Sequence, residues 1–455
     1  MTTFQTINPT TGEPISTYHE MPFKETKKII DVTHQAYLQW KKVPIAEREH
    51  LMKKVAKYLL DHKEEYATLI TTEMGKTITS ARFEIDRCIR ICNYYAEHAH
   101  QYLSPHIVNT EMKKSYVTYQ PMGIVFAIMP WNFPFFQVFR FGAPALMAGN
   151  ACILKHAPVT TGCALAIEKI FQAVGFPDNV FRVVIANNET AAEIIADPHI
   201  IGVSLTGSVR AGKSVAATAG AHLKKVVLEL GGSDPYLILE DADLALAAEQ
   251  CVKSRLNNTG QVCIAAKRLI AVEAVRPEFE KKVIEKVKEC RFGDPMDPAV
   301  TMGPMARADL RETVHKQVQE CIEKGAELVM GGEMVSGSGF FYPPTILKNI
   351  KPGMPAFDDE IFGPVIAFID AKDEQEAIRI ANQHPYGLAA AVFTQNTERG
   401  EVVAKQLEAG TCFVNQFVLS DPRLPFGGIK ESGFGRELSA EGIREFVNIK
   451  TIGVK

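Results

Sequence analysis

Apolar residues recur about every three to four positions in three segments, 24–40, 46–63 and 85–102, with polar residues between them. This spacing places the apolar side chains on one face of a helix, so it predicts three amphipathic helices. The period then changes, because residues 115–120 alternate and residues 123–129 form an almost unbroken apolar run. Such a run is typical of a central strand of a parallel sheet, which is buried on both faces.

Strand-like and helix-like segments alternate after residue 150. The predicted strands are 151–155, 180–184, 202–206 and 225–230, and the predicted helices between them are 160–174, 189–195 and 209–219. This rhythm predicts a doubly wound sheet. It restarts after Gly231-Gly232 with the segments 235–239, 244–257, 268–272, 277–290, 309–324, 365–369 and 373–382. We therefore predict a second α/β domain that begins near residue 231.

Two short segments fit neither repeat. Residues 103–119 and the tail 446–455 contain short strand candidates that stand apart from both domains. Strands that project from a domain leave unpaired edges, and pairing with another subunit would cover them. Residues 330–345 are rich in glycine and serine, which predicts an exposed loop.

The composition is typical of a soluble globular protein, with 46% apolar and 23% charged residues. A chain of 455 residues is too long for one ordinary core and predicts two or three domains. The net charge of −3 provides no basic field for nucleic acid or an anionic membrane. No apolar run reaches the ~20 residues of a membrane span, and the first residues do not resemble a signal peptide.

The nine cysteines are scattered and form no Cys-x-x-Cys pair, which favours a reducing cytoplasm and argues against disulfides or a metal site. Cys263 differs from the others because it follows a Gly260-Gln261 turn at the end of a helical pattern, where backbone N–H groups can support a thiolate. Upstream, Glu229 places a carboxylate on an otherwise apolar strand. A thiol nucleophile and a carboxylate base together indicate covalent chemistry on a carbonyl.

Six motifs occur in the order and at about the spacing found in one enzyme family. They are Trp131-Asn132-Phe133-Pro134, Lys155, Glu229-Leu230-Gly231-Gly232, Gly260-Gln261-Val262-Cys263, Glu360-Ile361-Phe362-Gly363-Pro364 and Pro425-Phe426-Gly427-Gly428. On these motifs the chain resembles the NAD(P)-dependent aldehyde dehydrogenases over almost its whole length. The runs 154–158, 207–212 and 231–235 are similar to those of the bacterial succinate-semialdehyde dehydrogenases within that family.

The resemblance implies an α/β protein with a Rossmann-type cofactor domain, a second α/β catalytic domain and a small β extension for oligomerisation. Residues 1–102 and 122–230 would form the dinucleotide-binding domain, and residues 231–432 the catalytic domain. Residues 103–121 and 433–455 would supply the oligomerisation strands. The resemblance also implies a homodimer or homotetramer that acts on a small-molecule aldehyde.

One segment supports a rival from another class of protein. Residues 207–214 fit the Walker A pattern Gly-x4-Gly-Lys-Ser, follow a strand candidate and open a helix, as in a P-loop nucleotide triphosphatase. The next strand candidate offers no terminal Asp for a metal ion, and this interpretation leaves Cys263 and Asn132 without roles. We interpret the helix start as an anion site for the pyrophosphate of a dinucleotide, contacted by Gly207 and Ser208.

The resemblance assigns three catalytic residues. Cys263 would attack the aldehyde carbon to form a thiohemiacetal, and Asn132 with the Cys263 N–H would bind the oxyanion, each donor contributing ~3 kcal/mol. Loss of hydride would leave a thioester, which water hydrolyses with Glu229 as base. A carboxylate on an apolar strand should have a raised pKa, which suits such a base. The structural alternatives are a turn role for Asn132 and an ion pair between Glu229 and Lys155.

The resemblance implies NAD or NADP as cofactor. The residues that it places at the cofactor are Trp131, Lys155, Pro158, Gly207, Ser208, Glu360 and Phe362. Lys155 would bind the adenosine ribose, and Glu360 would bind the nicotinamide ribose with Phe362 beside the ring. Trp131 could equally belong to the core, and Glu360 could be an acid of a surface loop.

The choice between NAD and NADP stays open. NAD-preferring members often carry a Glu three residues after the lysine, where it binds the ribose and repels a 2′-phosphate. This chain has Pro158 there, and His156 offers a partner for a phosphate.

A pocket for succinate semialdehyde needs an arginine and hydroxyl or amide donors for the carboxylate. By resemblance, Arg140 and Ser420 occupy substrate-binding positions, although Arg140 could instead form an ordinary ion pair. A second arginine of the family, six residues before the nucleophile, is replaced here by Asn257. Arg255 or Arg423 could take its role, or the pocket could fit another acidic aldehyde such as glutarate semialdehyde.

Many relatives in this branch have a second cysteine two residues after the nucleophile. This chain has Ala265 there, so we predict no disulfide in the active-site loop. A non-catalytic member of the fold is the remaining alternative. It is disfavoured because the thiol, the base, the amide and the ribose-binding residues are all present.

Overall fold

The computed structural model describes residues 2–455 and contains two large, mostly parallel sheets. In sheet order, the strands of the first are Gly433–Phe434, Lys225–Glu229, Ile200–Thr206, Ile124–Met129, Ala151–His156 and Phe181–Val184. Only Gly433–Phe434 is antiparallel to its neighbour. Every residue of Ala151–His156 is buried, as expected for a strand covered on both faces.

The strand order of this sheet reverses at one point. Counted along the chain from Ile124–Met129, the five parallel strands lie in the order 5-4-1-2-3. The reversal falls between Ile124–Met129 and Ile200–Thr206, and ligands of such sheets bind in the crevice outside the carboxyl ends of the strands at this point. Residues 130–132 and 207–208 directly follow those two ends.

The second sheet has seven strands. In sheet order they are Glu327–Met330, Thr345–Lys348, Val365–Ala371, Arg268–Val272, Pro235–Ile238, Ala389–Phe393 and Thr411–Val414. Only Glu327–Met330 runs antiparallel to its neighbour. The chain passes from one sheet to the other between Glu229 and Pro235, the interval that contains the predicted boundary near residue 231. The division into separate domains stays a prediction.

The helices before Cys263 are Phe23–Trp40, Ile45–Asp61, Lys63–Met74, Ile78–Leu103, Phe136–Met147, Thr161–Ala173, Asn188–Ala196, Val209–Ala221 and Leu244–Leu256. Those after it are Arg276–Lys288, Ala308–Glu323, Pro355–Asp358, Glu374–Asn382, Thr397–Ala404 and Ser439–Arg444. The sequence pattern missed Lys63–Met74, because its buried face includes the polar residues Thr71 and Glu73. Within residues 2–455, no helix has the length and apolar character that a membrane crossing requires.

A third sheet stands apart from the two large ones. Val447–Val454 pairs antiparallel with Lys114–Pro121, which also pairs with His106–Ile107. These strands fall in the two segments that the sequence pattern left outside both repeats. Two further antiparallel pairs join Thr3–Ile7 to Pro14–His19 and Tyr386–Gly387 to Ile429–Lys430.

Candidate active site

Cys263 lies in the loop that follows the helix Leu244–Leu256. Residues 258–260 have φ angles of 50°, 57° and 72°, a left-handed conformation that is costly for the two of them that are not glycine. Gln261 stabilises this turn, because its side-chain nitrogen donates to a backbone oxygen of the turn (3.1 Å) and its oxygen accepts the Ala306 N–H (2.9 Å). Buried hydrogen bonds therefore hold the loop in a strained conformation.

Asn132 packs against this loop. Its Nδ2 donates to the Gln261 carbonyl oxygen (3.1 Å), and its own carbonyl oxygen accepts from Nδ2 of Asn258 and Nζ of Lys76, both at 2.9 Å. One hydrogen of the Asn132 amide remains, since an amide nitrogen carries two. Lys76 forms an ion pair with Glu84, and both side chains are completely buried. This pair holds the backbone that carries Asn132.

Lys267 is a buried cation beside Cys263 that no sequence motif indicated. Its Nζ donates to the carbonyl oxygens of Val262 (2.9 Å) and Cys263, and it pairs with Oε1 of Glu360 at 3.1 Å. Burial raises the pKa of the Cys263 thiol to about 11, and the positive charges of Lys267 and then Arg140 oppose this rise. The only signal in the sequence is a lysine within an apolar run, four residues after the cysteine.

Phe362, two residues after Glu360, brings this segment into contact with Trp131. Oε1 of Glu360 accepts the Gly232 N–H (3.2 Å) as well as the Lys267 ion pair, which leaves Oε2 for a ligand. Phe362 contacts Trp131 edge to face, with ring centroids 5.8 Å apart. Trp131 is half-buried and also packs against the main core.

Glu229 is buried, and neither of its carboxylate oxygens has a hydrogen-bond partner among residues 2–455. Burial raises its pKa well above the usual range; the Arg140 charge opposes this, and Glu437 adds to it. The raised pKa favours the protonated carboxyl, which must lose a proton before it can act as a base. The alternative ion pair with Lys155 is wrong, because the acidic charge that acts on Lys155 is that of Glu20.

A cavity lies beside Cys263. Arg140 and Ser420 line it together with Cys263, so three of the predicted site residues share one space. Arg87, which no motif indicated, lines it too. Arg140 pairs with Glu437, but its buried Nη2 has no hydrogen-bond partner among residues 2–455. The aromatic wall consists of Phe133, Phe136, Phe417 and Phe426.

Arg255 does not line this cavity, and the prediction that it binds substrate is wrong. Its side chain is fully buried and donates to the carbonyl oxygens of Gly260 (3.4 Å), Ile361 (2.8 Å) and Val365. These bonds engage all three nitrogens of the guanidinium group in holding two loops together. Arg423, the other candidate, is exposed and pairs with the carboxylate two residues before it.

Lys155 lies at the carboxyl end of a strand beside the crevice of the first sheet. Its side chain is buried, yet its ammonium group forms no hydrogen bond or ion pair with residues 2–455, and burial lowers its pKa. A buried ammonium group without a partner fits a cofactor hydroxyl. Ser208 follows the strand Ile200–Thr206 at the same crevice and caps the helix Val209–Ala221 by accepting the Ala211 N–H (3.3 Å).

Two side chains near this crevice are not available to a phosphate. His156 accepts or donates at both ring nitrogens, to the Pro134 carbonyl oxygen (3.0 Å) and the Thr160 hydroxyl (2.8 Å). Burial also lowers its pKa to about 4, so the ring is neutral, and its predicted role with a 2′-phosphate is wrong. Lys213, the lysine of the Walker-like run, is exposed and pairs with Glu431 at 3.0 Å. A P-loop lysine has to reach the bound phosphates instead.

Residues 1–452 match the sequence profile of the aldehyde dehydrogenase family. The chain belongs to the aldehyde dehydrogenase family. It is similar to the NAD(P)+ succinate semialdehyde dehydrogenase Sad of Escherichia coli strain K12, with 43% identity over 446 residues, 98% of this chain and 96% of that one. It is also similar to the NADP(+) succinate-semialdehyde dehydrogenase of Deinococcus radiodurans, with 41% identity over 449 residues, 99% of this chain and 94% of that one.

A solved structure shows the same fold. The crystal structure of succinic semialdehyde dehydrogenase from Streptococcus pyogenes in complex with NADP+ matches this aldehyde dehydrogenase with a TM-score of 0.97 and 37% identity, over 99% of both chains. The fold class implied by the motifs is therefore confirmed. The triphosphatase alternative is wrong, and the Walker-like run is part of the aldehyde dehydrogenase fold.

Proposed function

We propose that this aldehyde dehydrogenase oxidises succinate semialdehyde to succinate with NAD+ or NADP+. The observation that carries the proposal is the cavity that Cys263 shares with Arg140 and Ser420. The carboxylate of such an aldehyde would meet the free Nη2 of Arg140 and a hydroxyl group, the donors that favour an anion. The names of the relatives in Escherichia coli and Deinococcus radiodurans support the same substrate.

The proposed chemistry begins with Cys263 as a thiolate. Its sulfur forms a bond to the aldehyde carbon, and the carbonyl π electrons move to oxygen, where the Asn132 amide and the Cys263 N–H stabilise the charge. NAD(P)+ supplies the hydride acceptor when bound. Cys263 then holds a thioester, and Glu229, once deprotonated, removes a proton from the attacking water. The C–S bond breaks, succinate leaves, and the thiolate forms again.

The proposed cofactor site combines residues from both large sheets. Lys155 would bind the adenosine ribose beside Pro158, and Oε2 of Glu360 would bind the nicotinamide ribose next to Phe362 and Trp131. The backbone of Gly207 and the capping residue Ser208 would receive the pyrophosphate at the helix start. The unpartnered ammonium of Lys155 and the free Oε2 of Glu360 support this assignment.

The test is the formation of reduced cofactor with succinate semialdehyde, glutarate semialdehyde, butanal and benzaldehyde, each with NAD+ and NADP+. We expect a strong preference for the acidic aldehydes and no turnover in a Cys263→Ala variant. A better rate with glutarate than with succinate semialdehyde would favour the longer acid. Equal or better rates with butanal would leave an aldehyde dehydrogenase but remove the succinate assignment.

We also propose that the protein works as a homodimer or homotetramer. The three-stranded sheet has Val447–Val454 at its edge and exposes Ile107 and Ile449 to more than half of their full extent. Exposed apolar side chains on an unpaired edge strand favour pairing with a second subunit. Light scattering should give a multiple of the chain mass for the wild type and a smaller mass for Ile449→Lys. A monomeric wild type would contradict the proposal.

We propose the cytoplasm as its location. All nine cysteines are free thiols in the structure, and several are completely buried, which suits a reducing compartment. Cell fractionation with an antibody against the protein would test this proposal. Recovery of the protein outside the cytoplasmic fraction would contradict it.

A further inference from the structure

Two arginines line the cavity beside Cys263, and only one of them has an ionic partner. Arg140 pairs with Glu437. Arg87 comes from the helix Ile78–Leu103, and its guanidinium group forms no ion pair or hydrogen bond with any of residues 2–455. The group lies 3.5 Å from the centre of the Phe136 ring, which also forms part of the cavity wall. Stacking on an aromatic ring holds a guanidinium plane in place and leaves its N–H groups free to donate.

The acid whose charge acts on Arg87 is already engaged. Glu84, three residues earlier, forms the buried ion pair with Lys76, and its other oxygen accepts the N–H groups of Phe135 and Phe136 at 2.9 and 3.0 Å. Burial is the main factor that lowers the pKa of Arg87, to about 10; Glu84 opposes this, and the Arg140 charge adds to it. The two cavity arginines therefore repel each other.

The position that lacks the expected arginine faces the same cavity. Asn257 lines it and carries no charge. Without Arg87, the cavity would offer a carboxylate only Arg140, whose charge is shared with Glu437. With Arg87 included, the lining carries one positive charge that no residue of the described chain balances. A bound carboxylate would balance this charge and relieve the repulsion between the arginines.

We propose that Arg87 is a second carboxylate-binding residue, which selects anionic aldehydes together with Arg140 and Ser420. This inference rests on the proposed function, because it concerns the cavity in which Cys263 would act. Arg87, on a helix of the first half of the chain, would bind the substrate carboxylate, which Asn257 cannot do because it carries no charge. Arg87 is thus a determinant of substrate specificity and takes no part in the covalent steps.

The test compares kcat and KM for succinate semialdehyde and for butanal, which has the same number of carbons without the carboxylate. Arg87→Gln should lower kcat/KM for succinate semialdehyde by about 10- to 100-fold, mainly through KM, as expected for the loss of one charge-assisted hydrogen bond. Its kcat/KM for butanal should stay within about twofold, because no contact to that substrate is lost. Arg87→Lys should recover part of the preference, since it keeps the charge.

Arg90→Gln is the matched control. Arg90 lies on the same helix, is exposed and does not line the cavity, so its removal changes only the long-range field. Three results would overturn the inference if the wild type still prefers succinate semialdehyde. Arg90→Gln could lose as much kcat/KM as Arg87→Gln, or Arg87→Gln could lose kcat/KM equally with both aldehydes. Arg87→Gln could also lose no kcat/KM at all. A wild type that does not prefer succinate semialdehyde to butanal would instead overturn the proposed function, and this inference with it.

Discussion

Replacing Gly260 with alanine tests whether the backbone of the nucleophile loop determines the position of Cys263. Gly260 has φ +72°, a conformation that L-residues rarely adopt. Its Cα also lies against the loop of Glu360, where an added Cβ would overlap the Gly363 carbonyl and approach Pro364 N to 2.8 Å. Both of these are backbone atoms, so no side-chain rotation can relieve the overlap.

The size of the effect follows from these two features. Left-handed backbone costs a residue with a Cβ about 1–2 kcal/mol. Moving Pro364 N from 2.8 Å to an ordinary contact of about 3.5 Å would separate the loops by about 0.7 Å, and relieving the closer overlap with the Gly363 carbonyl requires a larger movement. Because a displacement of about 1 Å in an active site can cost on the order of 100-fold in rate, we expect kcat to fall by roughly 10- to 100-fold.

Gly175→Ala is the matched control for backbone strain. Gly175 has φ +90°, and an added Cβ would meet no atom within 4 Å. The two variants therefore carry a similar left-handed penalty, but only Gly260→Ala has the overlap. Thermal unfolding should show a loss of stability in both, and steady-state kinetics should show a loss of kcat in Gly260→Ala alone. The rate of Cys263 alkylation would report the displaced thiol independently of turnover.

A Gly260→Ala enzyme with wild-type kcat would refute this reasoning, because it would show that the loop tolerates separation from the Glu360 segment without displacing the nucleophile. Equal losses of kcat in Gly260→Ala and Gly175→Ala would refute it in another way. That outcome would attribute the effect to global destabilisation.

The other predictions concern charge. Lys267 lowers the pKa of the Cys263 thiol and Glu360 raises it. Lys267→Met should therefore slow alkylation of Cys263 by iodoacetamide at a fixed pH, and Glu360→Gln should speed it. Rate changes of the same sign in both variants would contradict this prediction. Glu20, which lines a second cavity with His156 and Pro158, should disfavour a 2′-phosphate. Glu20→Gln should therefore raise kcat/KM with NADP+ relative to NAD+ by roughly fivefold, which corresponds to about 1 kcal/mol of like-charge repulsion. An unchanged ratio would show that Glu20 does not repel the 2′-phosphate. Thioester hydrolysis, followed by stopped flow, should accelerate as pH rises through the raised pKa of Glu229, since only the ionised form accepts a proton, and Glu229→Gln should abolish this dependence.

Most of the buried parallel strands were predictable because their signal is local, although Ala389–Phe393 was not predicted. The apolar run 123–129 corresponds to the strand Ile124–Met129, and the segment 268–272 corresponds to Arg268–Val272. The strands Glu327–Met330 and Thr345–Lys348 were not predicted. The first is half-exposed at the edge of its sheet, and both have only four residues, so neither carries a long apolar run.

The candidate site also contains residues that were predictable from the sequence and residues that were not. Cys263, Asn132 and Glu229 were recognisable because each belongs to a short run of characteristic residues. Their partners were not, because a partner is determined by the fold rather than by neighbours in the chain. Lys76 reaches the Asn132 carbonyl oxygen across 56 residues, and Lys267 belongs to no motif. Contacts of this kind depend on how the sheets and helices pack together.

The arginines show why nearness along the chain is a poor guide to substrate binding. Arg255 lies two residues from Asn257, yet it is fully buried outside the cavity and each of its nitrogens donates to a carbonyl oxygen. Arg87 is far away in sequence, but its donors remain free in the cavity of Cys263. A buried or half-buried guanidinium group stabilises the structure when its N–H groups donate to protein acceptors. When they do not, the group can bind an anion. Cys263, the proposed nucleophile, therefore comes from the second half of the chain, whereas Arg87 and Arg140, the arginines proposed to select the substrate, come from helices of the first half.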